Sequence, residues 1–345
     1  MKKSIFTVLL GASLIALISG CSQQKEEVAA SDINVGIILG FTGPIESLTP
    51  TMASSAEMAF KEATDAGVLN GSTLNPVRAD STCIDAAAAT SAAERLVTAD
   101  NVAAIMGADC SGVTTAIANN VAVPNGVTII SPSATSPALT TIEDKGFFFR
   151  TAPSDARQGQ VLAQVVMDRG IKKLAVTYTN NDYGKGLSDS FVGAFKSMGG
   201  EVTIEVPHED GKADYSAEVS TLSASGAEEL AVLGYVDQGG KGIIQNSLDT
   251  GAFSRFILAD GMIGQSLIDN VDGDLTGTFG TLPGNESDGA AMFIKMASAN
   301  GIPGDGPFEQ ESYDAAALIV LAMQAGGSAD RATIAQNVMG VANAP

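Results

Sequence analysis

The chain is expected to fold as an α/β protein of two doubly wound parallel-sheet lobes joined by a hinge. Short β-branched runs alternate with Ala-rich amphipathic runs, the pattern of βαβ units around a parallel sheet. The alternation runs once, then starts again after Phe147-Phe148-Phe149-Arg150. At 345 residues, 45% apolar and 17% charged, the chain has the size and composition for two folded domains.

The first series opens with a strand at residues 33–39 and a helix at 52–66, then a strand at 73–79 and a helix at 85–99. A strand at 102–107, a helix at 112–121 and a strand at 127–130 complete it. The second series reads as helix 156–169, strand 173–178, helix 185–198 and strand 202–206. Helix 215–224, strand 229–234, helix 240–248 and strand 255–259 follow. After a Gly-rich passage (273–284), helices at 288–299, 310–325 and 332–339 come without intervening strands and are expected to pack back on the first sheet. The division is therefore 32–152 plus about 284–345 for one lobe and 153–283 for the other. The chain stops at Pro345 without the strands that would close either sheet, so a truncated C-terminus is expected.

Ahead of the body, Lys2 and Lys3 precede an apolar stretch over 5–18, shorter than the roughly 20 residues of a membrane span and suited to a secretory signal. It ends Leu17-Ile18-Ser19-Gly20-Cys21, which resembles the lipoprotein box in which the Cys is diacylated and becomes the N-terminus. Residues 1–20 are thus read as a lipoprotein signal, Cys21 as the lipid site, and 21–31 as a polar tether. The protein is expected at the periplasmic or cell-surface face, held to the membrane only through lipid. Cys83 and Cys110 remain, an even pair in a compartment that permits disulfides. A bridge would stabilise the fold by roughly 3.5 kcal/mol; two buried free thiols are the alternative.

Composition removes several functions. With 19 basic against 39 acidic residues, net charge −20, the surface repels nucleic acid. One His and three Cys leave little material for a metal centre or a Ser-His-Asp triad, so no metal, no cofactor and no enzyme activity are expected. The lone His208, in Pro207-His208-Glu209-Asp210, reads as a solvated loop residue. Gly239-Gly240-Lys241-Gly242 lacks the first Gly and the Ser/Thr of a phosphate-binding loop, and no G-x-G-x-x-G follows the first strand.

Open α/β sheets bind ligands at the carboxyl ends of their strands, and two loops there are candidates. Gly107-Ala108-Asp109-Cys110-Ser111-Gly112 runs into a helix, so its N–H groups and the Ser111 hydroxyl are suited to a carboxylate, or Ser111 only caps the helix. Ser131-Pro132-Ser133-Ala134-Thr135-Ser136-Pro137 is a stiff polar loop that presents Ser133 and Thr135.

Together with Cys83, Phe149-Arg150-Thr151-Ala152-Pro153-Ser154-Asp155-Ala156-Arg157-Gln158-Gly159 and Asn181-Asp182-Tyr183-Gly184-Lys185-Gly186, these loops resemble the branched-chain amino acid (Leu/Ile/Val) binding proteins. These are type I periplasmic solute-binding proteins of ABC importers, and the similarity runs over about 32–340 in matching order. It implies that Ser111 binds a ligand carboxylate and that Ser133, Ala134 and Thr135 offer a carbonyl, a hydroxyl and an N–H to the ligand. Tyr183 and Tyr235 would cover the ligand from the other lobe, and Asp260, in Ala259-Asp260-Gly261, would hold its ammonium.

Two departures bear on specificity. After the first Gly-Pro turn, Gly43-Pro44-Ile45-Glu46-Ser47-Leu48 offers Leu48 and Glu46 where the family often has an aromatic side chain, which argues against a purely aliphatic pocket. Asp260 stands for the more usual Glu, one methylene shorter, so the ammonium sits deeper or a water intervenes. The implied protein is a monomer that captures an amino acid between its lobes and delivers it to an ABC permease and ATPase complex. The alternatives are a ligand-sensing receptor on the same fold and a binder of a non-amino-acid solute such as an amide or aromatic acid.

Overall fold

The computed structural model describes residues 30–284 and 286–343. The signal stretch, Cys21 and most of the tether lie outside the described residues.

The first series is β1 (Asp32–Leu39), α1 (Thr49–Asp65), the irregular turn α2 (Val68–Gly71), β2 (Thr73–Asp80), α3 (Ala86–Thr98), β3 (Ala104–Gly107), α4 (Ser111–Ile117), β4 (Thr128–Ser131) and β5 (Phe148–Arg150). The second is α5 (Asp155–Asp168), β6 (Lys173–Thr179), α6 (Asp182–Ser197), β7 (Glu201–His208), α7 (Ser216–Ser223), β8 (Leu230–Leu233), α8 (Gly239–Thr250), β9 (Phe256–Leu258), α9 (Gln265–Asn270) and β10 (Phe279–Gly280). Then come α10 (Asp288–Ala299), α11 (Glu309–Gly326) and α12 (Arg331–Ala342). The strands form two five-stranded parallel sheets, β2-β1-β3-β4-β5 and β10-β9-β8-β6-β7. Counted within its own series, each sheet has the same 2-1-3-4-5 winding, so the molecule is an α/β fold of two lobes.

Helices cover both faces of each sheet, so the strands read as continuous apolar runs and not as alternating ones. In β1, Val35, Ile37, Ile38 and Leu39 are all fully buried, and in β8 so are all four residues. The last helices return to the first sheet. α11 packs along α1 and against β3 and β4, α12 packs on α11, and α10 inserts Phe293 and Ala297 against Met58 of α1.

Two strands differ from the sequence expectation by being there at all. β5 and β10 have three and two residues, too short for any periodic signal, and each adds to a sheet edge. The helix expected to run to residue 121 leaves α-helical geometry at Ala118 and continues as a π-helical turn over Ala118–Ala122. The placement of His208 is corrected: it ends β7, is 1% exposed, and its Nδ1 lies 2.8 Å from the Thr177 hydroxyl. Burial pushes its pKa down to about 4, so the imidazole is neutral. Pro207 gave the segment the look of a loop, but β7 is an edge strand, where Pro is tolerated.

Candidate functional site

In a doubly wound sheet the strand order reverses at one point, and the loops that leave the two strands there part to open a crevice. In the first sheet that point lies between β1 and β3, in the second between β6 and β8. The two crevices face each other. A cleft with about 350 Å³ of unfilled space, part of it open to solvent, is lined after β1 by Ile45, Leu48 and Met52, and after β3 by Asp109, Cys110 and Ser111. Ser133, Tyr183, Tyr235, Asp260, Gly261 and Phe308 complete it.

Each side chain is positioned by its own stretch of backbone. Asn181 caps α6 by accepting from Tyr183 N–H at 3.1 Å and Gly184 N–H at 3.0 Å, which fixes Tyr183 at the first turn. Only glycine fits next: a Cβ on Gly184 would fall 2.1 Å from the Thr179 carbonyl oxygen. Tyr183 stacks on Tyr235 with ring centroids 5.1 Å apart. Its hydroxyl donates to Asp260 Oδ1 at 3.0 Å and accepts from Gly261 N–H at 3.2 Å. Asp260 Oδ1 also accepts from Gln158 Nε2 at 2.7 Å.

On the first lobe, Gly107 takes a positive φ of 126°, and a Cβ there would strike the Ile38 carbonyl at 2.1 Å, so β3 can turn out beside β1 only with glycine. Asp109 is buried and accepts from Gly40 N–H, Cys110 N–H and the Ser81 hydroxyl, which locks the loops after β1, β2 and β3 together. Cys83 and Cys110 are joined in a disulfide beside it. Ser111 does not cap α4: it is the first helical residue, and its Oγ accepts from Ser136 N–H at 3.1 Å. That leaves the Ser111 hydrogen free to donate. The Ser133 hydroxyl donates to the Asp109 carbonyl at 3.1 Å.

Five of the expected site residues thus meet in one cleft: Ser111, Ser133, Tyr183, Tyr235 and Asp260. Ala134 and Thr135 lie behind its wall, both fully buried. The Ala134 carbonyl accepts from Arg150 and the Thr135 carbonyl from Asp155 N–H. Glu46 is not part of the cleft: it is exposed and accepts from Gly43 N–H at 3.3 Å. Leu48 does line the cleft, in an apolar wall with Ile45, Met52 and Phe308, and with Phe308, Tyr183 and Tyr235 present the lining is not purely aliphatic.

The sequence reading gave no role to Met52, Asp109, Phe308, Asp155 or Gln158. Phe308 comes from a turn more than 250 residues beyond β1 and is held at a φ of 58°. Asp155 and Gln158 stood inside a motif, yet only the fold brings them against Asp260. Burial raises the Asp260 carboxyl to about 6, with the Gln158 and Tyr183 hydrogen bonds opposing. Burial likewise raises Asp109, against its three donors. Asp260 thus stands on the second-lobe side, and on the first-lobe side Asp109, its carboxylate already taking three donors, sits beside the Ser111 hydroxyl.

Comparison with known proteins agrees with this fold. The family model described as periplasmic binding protein matches residues 32–342. A Leu/Ile/Val-binding protein homolog 1 from Brucella melitensis is 32% identical over 97% of this chain and 88% of its own length. The crystal structure of a leucine binding protein LivK from Thermotoga maritima superposes with a TM-score of 0.79 at 25% identity, over 89% of this chain and 87% of that one. A solute binding protein from R. palustris in complex with 4-hydroxybenzoate shares the fold at TM-score 0.73 and 19% identity, over 88% and 83%.

Proposed function

The chain belongs to the periplasmic binding protein family, and from that premise we propose that it is a lipid-anchored receptor for a branched-chain or similar amino acid. One observation carries this reading. The cleft sets a donor hydroxyl at Ser111 and a buried carboxylate at Asp260 on either side of an apolar wall of Ile45, Leu48, Met52 and Phe308. An α-amino acid has the matching three parts: a carboxylate for Ser111 and the nearby N–H groups, an ammonium for Asp260, and an aliphatic side chain for the wall. The names of the Brucella and Thermotoga relatives support the same ligand class.

The ligand enters on the first lobe, and the second closes over it with Tyr183, Tyr235 and Asp260. Preference of the ligand for the closed form then marks occupancy for an ABC permease and ATPase complex. Ser133 shapes the first-lobe wall, and Ala134 and Thr135 stiffen it from behind. Cys21 carries the lipid. The stacked tyrosines and the 4-hydroxybenzoate-bound neighbour favour a second reading, an aromatic acid as ligand. Against it stands Asp260: such an anion brings no cation to this buried carboxylate and adds a second negative charge to its cleft.

A thermal-shift screen of the soluble chain from Ser22 against the twenty amino acids and aromatic acids tests the reading. At a thousandfold excess over Kd a true ligand adds about 4 kcal/mol, about ten degrees. Leucine, isoleucine or valine should give the shift; a shift with hydroxybenzoates alone refutes the proposal.

A further inference from the structure

Asp155 opens α5 immediately behind Asp260. It is fully buried, and neither carboxylate oxygen meets a donor in hydrogen-bonding geometry. Thr135 Oγ1, close against it, and Gln158 Oε1 are buried and similarly lack a well-formed bond. Of these groups only the Thr135 hydroxyl carries a hydrogen, and it favours the ionised Asp155, so the two carboxylate oxygens and the Gln158 amide oxygen meet where donors are short. Buried acceptors left this way are costly unless something supplies hydrogens.

The groups that face the two carboxyls come from six elements. Arg150 approaches Asp155 from β5, but its N–H groups donate to the Ala134 and Ser136 carbonyls and the Thr140 hydroxyl. It lends its field and no hydrogen bond. Thr135 lies on the loop after β4 and Gln158 on α5; Gln158 also reaches the Thr281 carbonyl after β10. Tyr183 comes from α6 and Tyr235 from the loop after β8. Burial raises both carboxyls, and the Asp260 charge raises Asp155 further. Two adjacent buried carboxylates do not readily both ionise.

We propose that Asp155 is a second carboxylate of the cation subsite, sharing one proton with Asp260 in the empty cleft and releasing it when a ligand ammonium enters. The exchange balances: one carboxyl O–H loses its proton to a solvent base while one ammonium arrives with its hydrogens intact, so the subsite keeps the same net charge. The ammonium then donates to Asp260 in the cleft lining, and its charge takes the place of the shared proton beside Asp155 behind it. Asp155 thereby selects for a cationic end, because a ligand without one cannot replace the proton. The inference rests on the amino-acid reading, and the experiment separates the two.

Titration calorimetry of L-leucine at pH 7, in buffers of low and high ionisation heat, counts the protons. About one should be released per leucine, with affinity rising close to tenfold per pH unit between pH 6 and 7. Asp155→Asn should still bind leucine but release none. Heats independent of buffer in the parent chain, or release unchanged in Asp155→Asn, overturn the proposal. If leucine does not bind, the amino-acid reading fails on its own, and the pair is read in the empty protein. Its infrared spectrum at pH 7 should then show a protonated-carboxyl band that is lost in Asp155→Asn and altered in Asp260→Asn. A band unaffected by both substitutions, or no band, overturns the proposal.

Discussion

The Tyr183 hydroxyl donates to Asp260 Oδ1 at 3.0 Å from the first turn of α6, tying the residue expected to hold the ligand cation to the stacked pair Tyr183–Tyr235. Removing that hydroxyl leaves the ring and its stacking in place but frees the carboxylate and raises its pKa further. Tyr183→Phe should weaken amino-acid binding by about ten- to a hundredfold, the scale of one hydrogen bond to a charged group, and cost about 1–3 kcal/mol of stability because the buried Gly261 N–H loses its acceptor. Calorimetry of the variant checks both.

Asp237 joins the lobes. Its N–H donates to the Pro44 carbonyl at 3.0 Å, and its carboxylate accepts from Ser47 N–H at 2.9 Å and the Ser266 hydroxyl at 2.6 Å. Asp237→Ala removes the carboxylate contacts without touching the lined cleft. The closed form should lose population, so ligand dissociation speeds up by several-fold while association changes little. Stopped-flow measurement separates the two rates.

The Cys83–Cys110 bridge spans 27 residues and abuts Asp109 and Ser111. Reduction, or the double Ala variant, should cost about 3–4 kcal/mol of stability. It should also weaken ligand binding, because the loop that carries Ser111 loses one of its anchors. Thermal melts with and without reductant, in the presence and absence of leucine, read both effects.

His208 is neutral when folded, and its pKa is down at about 4 from 6.5. Between those values the unfolded chain binds more protons than the folded one. The stability this contributes is full above pH 6.5 and lost as pH falls through 4, on the order of 3 kcal/mol. Asp260, raised to about 6, acts in the opposite sense, since its contribution is full below pH 4 and lost as pH rises through 6. His208→Gln should therefore flatten the acid decline in melting temperature, and Asp260→Asn should steepen it. Melts from pH 4 to 7 give the slopes.

The doubly wound fold was legible because buried parallel strands such as residues 230–233 are unbroken apolar runs set between amphipathic helices. β5 and β10 were not legible, since two or three residues carry no period and owe their pairing to neighbours. Ser111 could be found from the polar loop that leaves β3 and runs into α4, whereas Tyr183, Tyr235 and Asp260 were expected only through the resemblance to the branched-chain amino acid binding proteins. Phe308 and Asp155 could not, because they reach the site through helix packing and chain return from distant sequence. His208 was misplaced for a local reason: a polar, proline-containing edge strand looks like a loop until the Thr177 contact is seen.

The central claim is that the cleft holds both ends of an amino acid. Equilibrium binding of L-leucine, its methyl ester and 4-methylpentanoate tests it most directly, because each analogue removes one end and keeps the side chain. Leucine should bind at least about a hundredfold more tightly than either, with the preference over 4-methylpentanoate lost in Asp260→Ala. Equal binding of 4-methylpentanoate and leucine would show that no ammonium is held at Asp260, and would contradict the account.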